Sequence, residues 1–288
     1  MLNRILEMET KELFNFLAEL FENRLDQTLI TDGDNYLFYP SRSPLCLVAH
    51  MDTVRPAKRK VKLEQTGQII TNRNGVLGAD DRAGVFAIVQ LLLKCKDQGR
   101  ERPSVLFTNY EEIGGVGVQK FIDDCRVNPF EKTRLLIELD RRGANDYVYY
   151  NGYLPDDVKD YVEAFGFVES SGSYSDIADL TDAFMIPSVN LSVGYYNEHS
   201  VRERLHVDEL QLTIDRVLRM IGDPIDKLYP MEPYDEAGFA EYEDPLLEEQ
   251  LVLEDPFMVE DFESQFREST RLERSFDRDT IKRRGAIL

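Results

Sequence analysis

Leu45-Cys46-Leu47-Val48-Ala49-His50-Met51-Asp52 is the stretch on which the reading of this chain turns. Five apolar residues without a polar interruption read as a strand covered on both faces, as inner strands of a parallel sheet are. The run then ends in an imidazole and a carboxylate two positions apart. The same device recurs downstream. Val105 to Tyr110 leads into Glu111-Glu112, Leu135 to Leu139 leads into Asp140, and Val189 to Val193 precedes His199-Ser200. A further motif, Gly78-Ala79-Asp80-Asp81, opens a helical stretch from Ala83 to Lys96. In an open α/β sheet the loops at the carboxyl ends of the strands converge on one crevice, where ligands bind.

The rest of the first 228 residues continues the alternation. Leu13, Phe14, Leu17, Leu20 and Phe21 lie at helical spacing, so Met1 to Asp26 reads as an acidic amphipathic helix. Asp32-Gly33-Asp34 is a turn between Thr28-Leu29-Ile30 and Tyr36-Leu37-Phe38-Tyr39, and a second hairpin pattern surrounds Thr66-Gly67. Further helices are expected over Val116 to Asp124, Asp156 to Phe165 and Asp208 to Ile221, the last with Asp208 as N-cap. Strands alternating with helices imply an α/β fold: a mixed, mostly parallel sheet sandwiched by helices.

Composition bounds the function. No apolar run approaches the roughly 20 residues that span a bilayer, and the acidic N-terminus lacks the basic and apolar regions of a signal peptide. No membrane association is expected. Three cysteines, of which Cys46 and Cys95 lie in apolar segments, suggest reduced thiols and a cytoplasmic setting. A net charge of -20 repels phosphate and argues against a nucleic-acid partner.

The composition shifts after Leu228. From Tyr229 to Phe266 there are 13 acidic residues and no lysine or arginine, and from Arg267 to Leu288 seven bases stand against four acids. The expected organisation is therefore a catalytic domain over residues 1–228 and an irregular acidic-to-basic tail over 229–288, disordered or docked on a partner. The tail could join a protein partner or a homo-oligomer through its apolar anchors, such as Leu251-Val252-Leu253.

Five ordered motifs of imidazole and carboxylate define a site for two divalent cations. His50 offers a neutral imidazole, and Asp52 a carboxylate that would orient its second nitrogen. Asp80 could bridge two cations through its two oxygens, Glu112 and Asp140 would each serve one, and a second histidine would complete the set. Glu111 could act as general base for a metal-bound water. Taken singly, Asp80-Asp81 reads equally well as a helix cap and Glu111-Glu112 as a solvated turn. The ordered combination, with most members following apolar strands, favours the metal site.

These motifs resemble those of the co-catalytic dizinc exopeptidase superfamily of metallopeptidases. Leu47 to Val54 is similar to the first ligand motif, Leu77 to Gly84 to the bridging-aspartate motif, and Glu111-Glu112-Ile113-Gly114-Gly115 to the base-plus-ligand pair. His199-Ser200-Val201-Arg202-Glu203 resembles the last ligand motif, so His199 is preferred to His206. Ser175-Asp176 resembles a motif near the pocket. The resemblance spans roughly residues 40–222. It implies His50, Asp80 and Asp140 around one metal and Asp80, Glu112 and His199 around the other, with Glu111 as base and Asp52 as orienting residue.

Two departures matter. Only 58 residues separate Asp140 from His199, and fewer than 30 lie between His50 and Asp80. Neither interval holds the lid or the inserted β domain that members of this group carry, so the chain reads as a minimal catalytic core. The resemblance implies a dizinc aminopeptidase or small-peptide hydrolase, with zinc, or cobalt or manganese, as cofactor and a small peptide or amino-acid-derived compound as substrate. Arg141, Arg142, Tyr195 and Tyr196 are placed to shape the substrate site. An N-acyl amino acid amidohydrolase, and a non-catalytic binding or assembly protein that retains the site, are the alternatives.

Overall fold

The structure is a computed structural model that describes residues 1–55, 60–151, 154–172 and 174–223; the expected tail, from 229 onward, lies outside the described residues. The elements in chain order begin with helices α1 (Leu2–Glu7) and α2 (Thr10–Leu20). Strands β1 (Ile30–Thr31), β2 (Tyr36–Tyr39), β3 (Leu45–His50), β4 (Leu63–Thr66) and β5 (Ile69–Asn72) precede the long helix α3 (Ala79–Asp97). Then come β6 (Ser104–Thr108), α4 (Val116–Asp124), β7 (Leu135–Arg141), β8 (Asp146–Val148), α5 (Asp156–Ala164), β9 (Val168–Glu169) and α6 (Asp176–Phe184). The described part closes with β10 (Ser188–Ser192), β11 (Tyr195–Tyr196), β12 (Arg204–His206) and α7 (Val207–Gly222).

Eight strands form one sheet in the order β1-β2-β6-β3-β7-β10-β8-β9. Its centre is parallel: β3 pairs with β6 and β7, and β7 pairs with β10. The antiparallel pairs lie toward the edges, β1 with β2, β2 with β6, and β10 with β8. Strand β3 is buried at all six positions, as its unbroken apolar run requires. Leu45, Leu47 and Ala49 enter a core built with α1, α2, α3 and α7, whereas Cys46 and Val48 enter a second core under α4 and α6. This period of two across a doubly covered sheet makes the sandwich expected from the alternating pattern. A second, four-stranded sheet in the order β11-β12-β5-β4 carries the predicted hairpin at Thr66-Gly67.

Two local readings are revised. The N-terminal stretch is not one helix but α1, α2 and a π-helical turn over Phe21–Leu25. The break falls at Met8 and Glu9, both extended, where two arginine side chains take carbonyls of the segment. The first hairpin pairs Ile30 with Phe38 and Thr31 with Leu37, a short register shifted toward the turn.

Helix α3 shows how sequence fixes a close approach. Gly84 packs where any Cβ would overlap the Leu139 carbonyl oxygen of β7, so only glycine lets the helix lie this near the strand that ends in Asp140.

Candidate metal centre and active site

The parallel strands deliver their terminal residues to one place. His50 closes β3, Glu111 and Glu112 follow β6 after Tyr110, whose φ of 66° turns the chain, and Asp140 lies at the end of β7. His199, itself at φ 59°, arrives from the loop between the two strands β11 and β12. His50 Nε2 stands 3.1 Å from Asp80 Oδ1 and 3.7 Å from Asp140 Oδ1. His199 Nε2 stands 3.1 Å from Asp80 Oδ2 and 2.9 Å from Glu112 Oε2. Within each of these two triads, which share Asp80, ligand-type atoms lie within 4.8 Å of one another. Asp80 thus offers one oxygen to each histidine.

Both residues with other predicted roles are in reach. Asp52 Oδ1 lies 3.3 Å from His50 Nδ1, and the two Asp52 oxygens accept the backbone N–H groups of Glu111 and Glu112 at 3.1 Å each. One carboxylate therefore stands beside the first histidine and holds the turn that presents both glutamates. Glu111 Oε2 lies 3.9 Å from His50 Nε2. Burial, then the neighbouring acids Glu112, Asp80 and Asp52, push the Glu111 carboxyl above the usual carboxylate range, against the pull of His50.

The surroundings are built to hold carboxylates in place. Asp140 Oδ1 accepts the Tyr195 hydroxyl at 3.1 Å, and its backbone N–H and C=O are both bonded by the Asn190 side chain at 3.0 Å. Ser175 Oγ lies 3.4 Å from Asp140 Oδ2 and also donates to the buried Glu138. Glu203 accepts from the N–H groups of Gly78, Ala79 and Asp80 at 2.8, 2.7 and 3.2 Å, satisfying the free donors at the start of α3 from a distant segment. Asp81 accepts from the His50 and Gly84 backbone N–H groups, which ties the second ligand motif to the first.

The donor set fits divalent cations. Among the described residues no lysine or arginine comes within 4.0 Å of Asp80, Glu111, Glu112 or Asp140; their only cationic neighbours are the two histidines. A ring nitrogen carries at most one proton, yet two carboxylates face each Nε2. Glu112 Oε1 is buried without a hydrogen-bond partner. The carboxylates drive His199 up to about 11, its bonds to Asp80 and Glu112 being the largest cause. Buried negative charge of this density requires positive charge. Mixed nitrogen and oxygen donors suit zinc, cobalt or manganese.

Other predicted residues lie further out. His206 packs on Tyr196, with its Nδ1 3.5 Å from Glu209, and is not among the clustered donors. Tyr196 donates to Glu209, and Arg141 to Ser170. Arg142 pairs at 2.9 Å with Glu198, the residue before His199. Asp176 is buried under the site, bonded by Thr108, and burial raises its carboxyl to about 7. The sequence reading gave no role to Asp81, Glu138 or Asn190, and marked Ser175 only through its resemblance to a motif near the pocket. Only the polar Glu138 and Asn190 inside apolar strands marked two of them.

Comparison with known proteins bears on the fold. No protein-family model matches the chain, and no curated protein matches it. Among solved structures, aminopeptidase PepT from Bacillus cereus is 17% identical with a TM-score of 0.62, the match covering 76% of this chain and 96% of that one. A tripeptidase from Staphylococcus aureus is 18% identical with a TM-score of 0.60, over 76% and 95%. A leucine aminopeptidase precursor from Bacteroides thetaiotaomicron is 15% identical with a TM-score of 0.59, over 77% and 94%. The chain has the fold of these aminopeptidases and tripeptidases. The resemblance to the exopeptidase superfamily drawn from the motifs holds at the level of fold.

Proposed function

We propose that residues 1–228 form a metal-dependent hydrolase, a dizinc aminopeptidase or small-peptide hydrolase with Glu111 as general base. The observation that carries this reading is Asp80, which presents one oxygen to His50 and the other to His199 at 3.1 Å each. His50, Asp80 and Asp140 would hold one cation and Asp80, Glu112 and His199 the other. Bound there, two cations supply Lewis-acid polarisation of a scissile carbonyl and acidify water.

The protein's own groups do the rest. Asp52 fixes the His50 ring through Nδ1 and, through the backbone bonds at 3.1 Å, sets the position of Glu111 relative to Glu112. Glu111 is not needed in either triad, and its raised proton affinity matches a group that takes a proton from the attacking water and returns it to the leaving amine. His199, with a side chain 51% exposed, marks the open side of the site, by which substrate enters. The Pyrococcus horikoshii TET1 peptidase, of similar fold at 13% identity and a TM-score of 0.58, can assemble into a tetrahedron or a large octahedral shell. Homo-oligomerisation, or binding of a protein partner, through the tail 229–288 is part of the same proposal.

The test is turnover of a mixed pool of di- and tripeptides and N-acyl amino acids by the full chain, stripped with chelator and reloaded with zinc, cobalt or manganese. Release of N-terminal residues only after reloading is expected. Release of acyl groups would make it a deacylase instead, and no turnover under any metal would leave a binding role.

A further inference from the structure

Two buried arginines lie beside the ligand motifs but take no part in them. Arg55 stands three residues after Asp52, and Arg82 two residues after Asp80. Arg82 is 1% exposed and Arg55 half-buried. Among the described residues neither has a carboxylate within salt-bridge distance. Both donate to oxygens of the N-terminal segment through their terminal nitrogens. Arg55 donates to Leu6 O at 2.6 Å and Met8 O at 2.7 Å; Arg82 donates to Met8 O at 2.9 Å, Ile5 O at 3.2 Å and Thr10 Oγ1 at 3.3 Å. One carbonyl, that of Met8, therefore receives both guanidinium groups. Arg55 also reaches Leu77 O, just ahead of the second ligand motif, at 3.5 Å.

The electrostatics make this arrangement consequential. Two like charges close together in a poorly solvated place repel, and each depresses the proton affinity of buried cations near it. Acceptors shared between them hold such a pair together, alongside the attraction of the nearby carboxylates Glu9, Asp52 and Asp81. The carbonyls at the end of α1 supply those acceptors, and the chain leaves helical geometry at Met8 and Glu9 to present them.

We propose that the segment Ile5 to Thr10 is a clamp on the metal centre: by binding Arg55 and Arg82 through Met8 O, it sets the spacing between the His50–Asp52 loop and the Asp80–Asp81 turn. Arg55 and Arg82 are positioning residues in this scheme. The inference rests on the metal-site reading above. Its consequence is that metal affinity depends on six residues that supply no ligand.

The test is zinc affinity, measured by competition with a chromophoric chelator, and folding, measured by circular dichroism, on the full chain and its variants. Arg82→Met is expected to fold and to bind zinc about 10–100-fold more weakly, the range seen when a group supporting a ligand is lost. Arg82→Lys keeps the charge, reaches fewer carbonyls and falls between. Arg55→Met should weaken zinc binding in the full chain. In a chain lacking residues 1–9 it should strengthen binding, because one of two unmatched charges is gone. Folded Arg82→Met with wild-type zinc affinity would overturn the clamp, as would an Arg55→Met effect of the same sign in both backgrounds. If the shortened chain does not fold, the full-length Arg82 series decides. A wild-type protein that binds no zinc would instead strike the metal reading itself.

Discussion

The shared position of Asp80 makes the two halves of the centre separable by mutation. His199→Ala removes one donor from the triad of Asp80, Glu112 and His199 and none from that of His50, Asp80 and Asp140. Asp80→Asn leaves a single lone-pair oxygen where two were, so at most one cation keeps a donor at that position. A four-ligand structural zinc site is worth about 10–16 kcal/mol, or roughly 3 kcal/mol a ligand. Each lost donor should therefore weaken its site on the order of a hundredfold. His199 also stands half exposed, whereas His50 is buried, so the His199 side should be the first to empty on chelation. The assay is zinc titration of the stripped protein against a chelator, with stoichiometry by elemental analysis. Wild type should show two sites, His199→Ala one site of near-normal affinity and one weakened about a hundredfold, and Asp80→Asn a loss of that order at one site at least. A His199→Ala protein that loses both sites equally would refute the division into two triads. So would an Asp80→Asn protein that keeps both sites at wild-type affinity.

Three more outcomes follow from the contacts around the centre. Tyr195→Phe removes the hydroxyl on Asp140 Oδ1, which should cost about 1.5–3 kcal/mol of thermal or chemical stability in the stripped protein and about tenfold in zinc affinity. Asp176 titrates near 7 in the folded chain against 3.8 as its ordinary value; the folded state holds its proton more tightly, so its contribution is present below pH 4 and is lost as pH rises to about 7. Asp176→Asn should abolish that loss, and the stability of the variant relative to wild type, followed by urea unfolding, should rise between pH 4 and pH 8 by up to about 4 kcal/mol. Gly84→Ala forces a Cβ onto the Leu139 carbonyl; it should lower stability by about 1–3 kcal/mol, and a neutral result would show that α3 and β7 can separate freely.

Much of the site was legible because its residues follow elements with a strong local signature. Leu45 to Ala49 is an unbroken apolar run and Leu135 to Leu139 one interrupted only by Glu138, and the observed strands start at those same residues. Helix α4 begins and ends where its apolar spacing placed it, Val116 to Asp124. What escaped the sequence lacked such a pattern. Strands β8, β9, β11 and β12 are two or three residues long and are held by pairing alone. The N-terminal stretch has continuous helical periodicity, yet it breaks at Met8 because long-range bonds from Arg55 and Arg82 outweigh a local preference. The motifs quoted Ser175 and Glu203, but not the bonds they make: Asn190 reaches Ser175 across 15 positions and Gly78 reaches Glu203 across 125, distances no local pattern records.

The account stands or falls on Glu111, the one acid of the cluster assigned to proton transfer rather than to a cation. Glu111→Gln keeps the shape of the side chain and the backbone bond to Asp52 and removes the base. Zinc content and peptide turnover should be measured together on wild type and this variant. Unchanged zinc stoichiometry with kcat lowered about 10²–10⁴-fold is the predicted result. Equal turnover by the two proteins, or loss of zinc with the substitution, would contradict it.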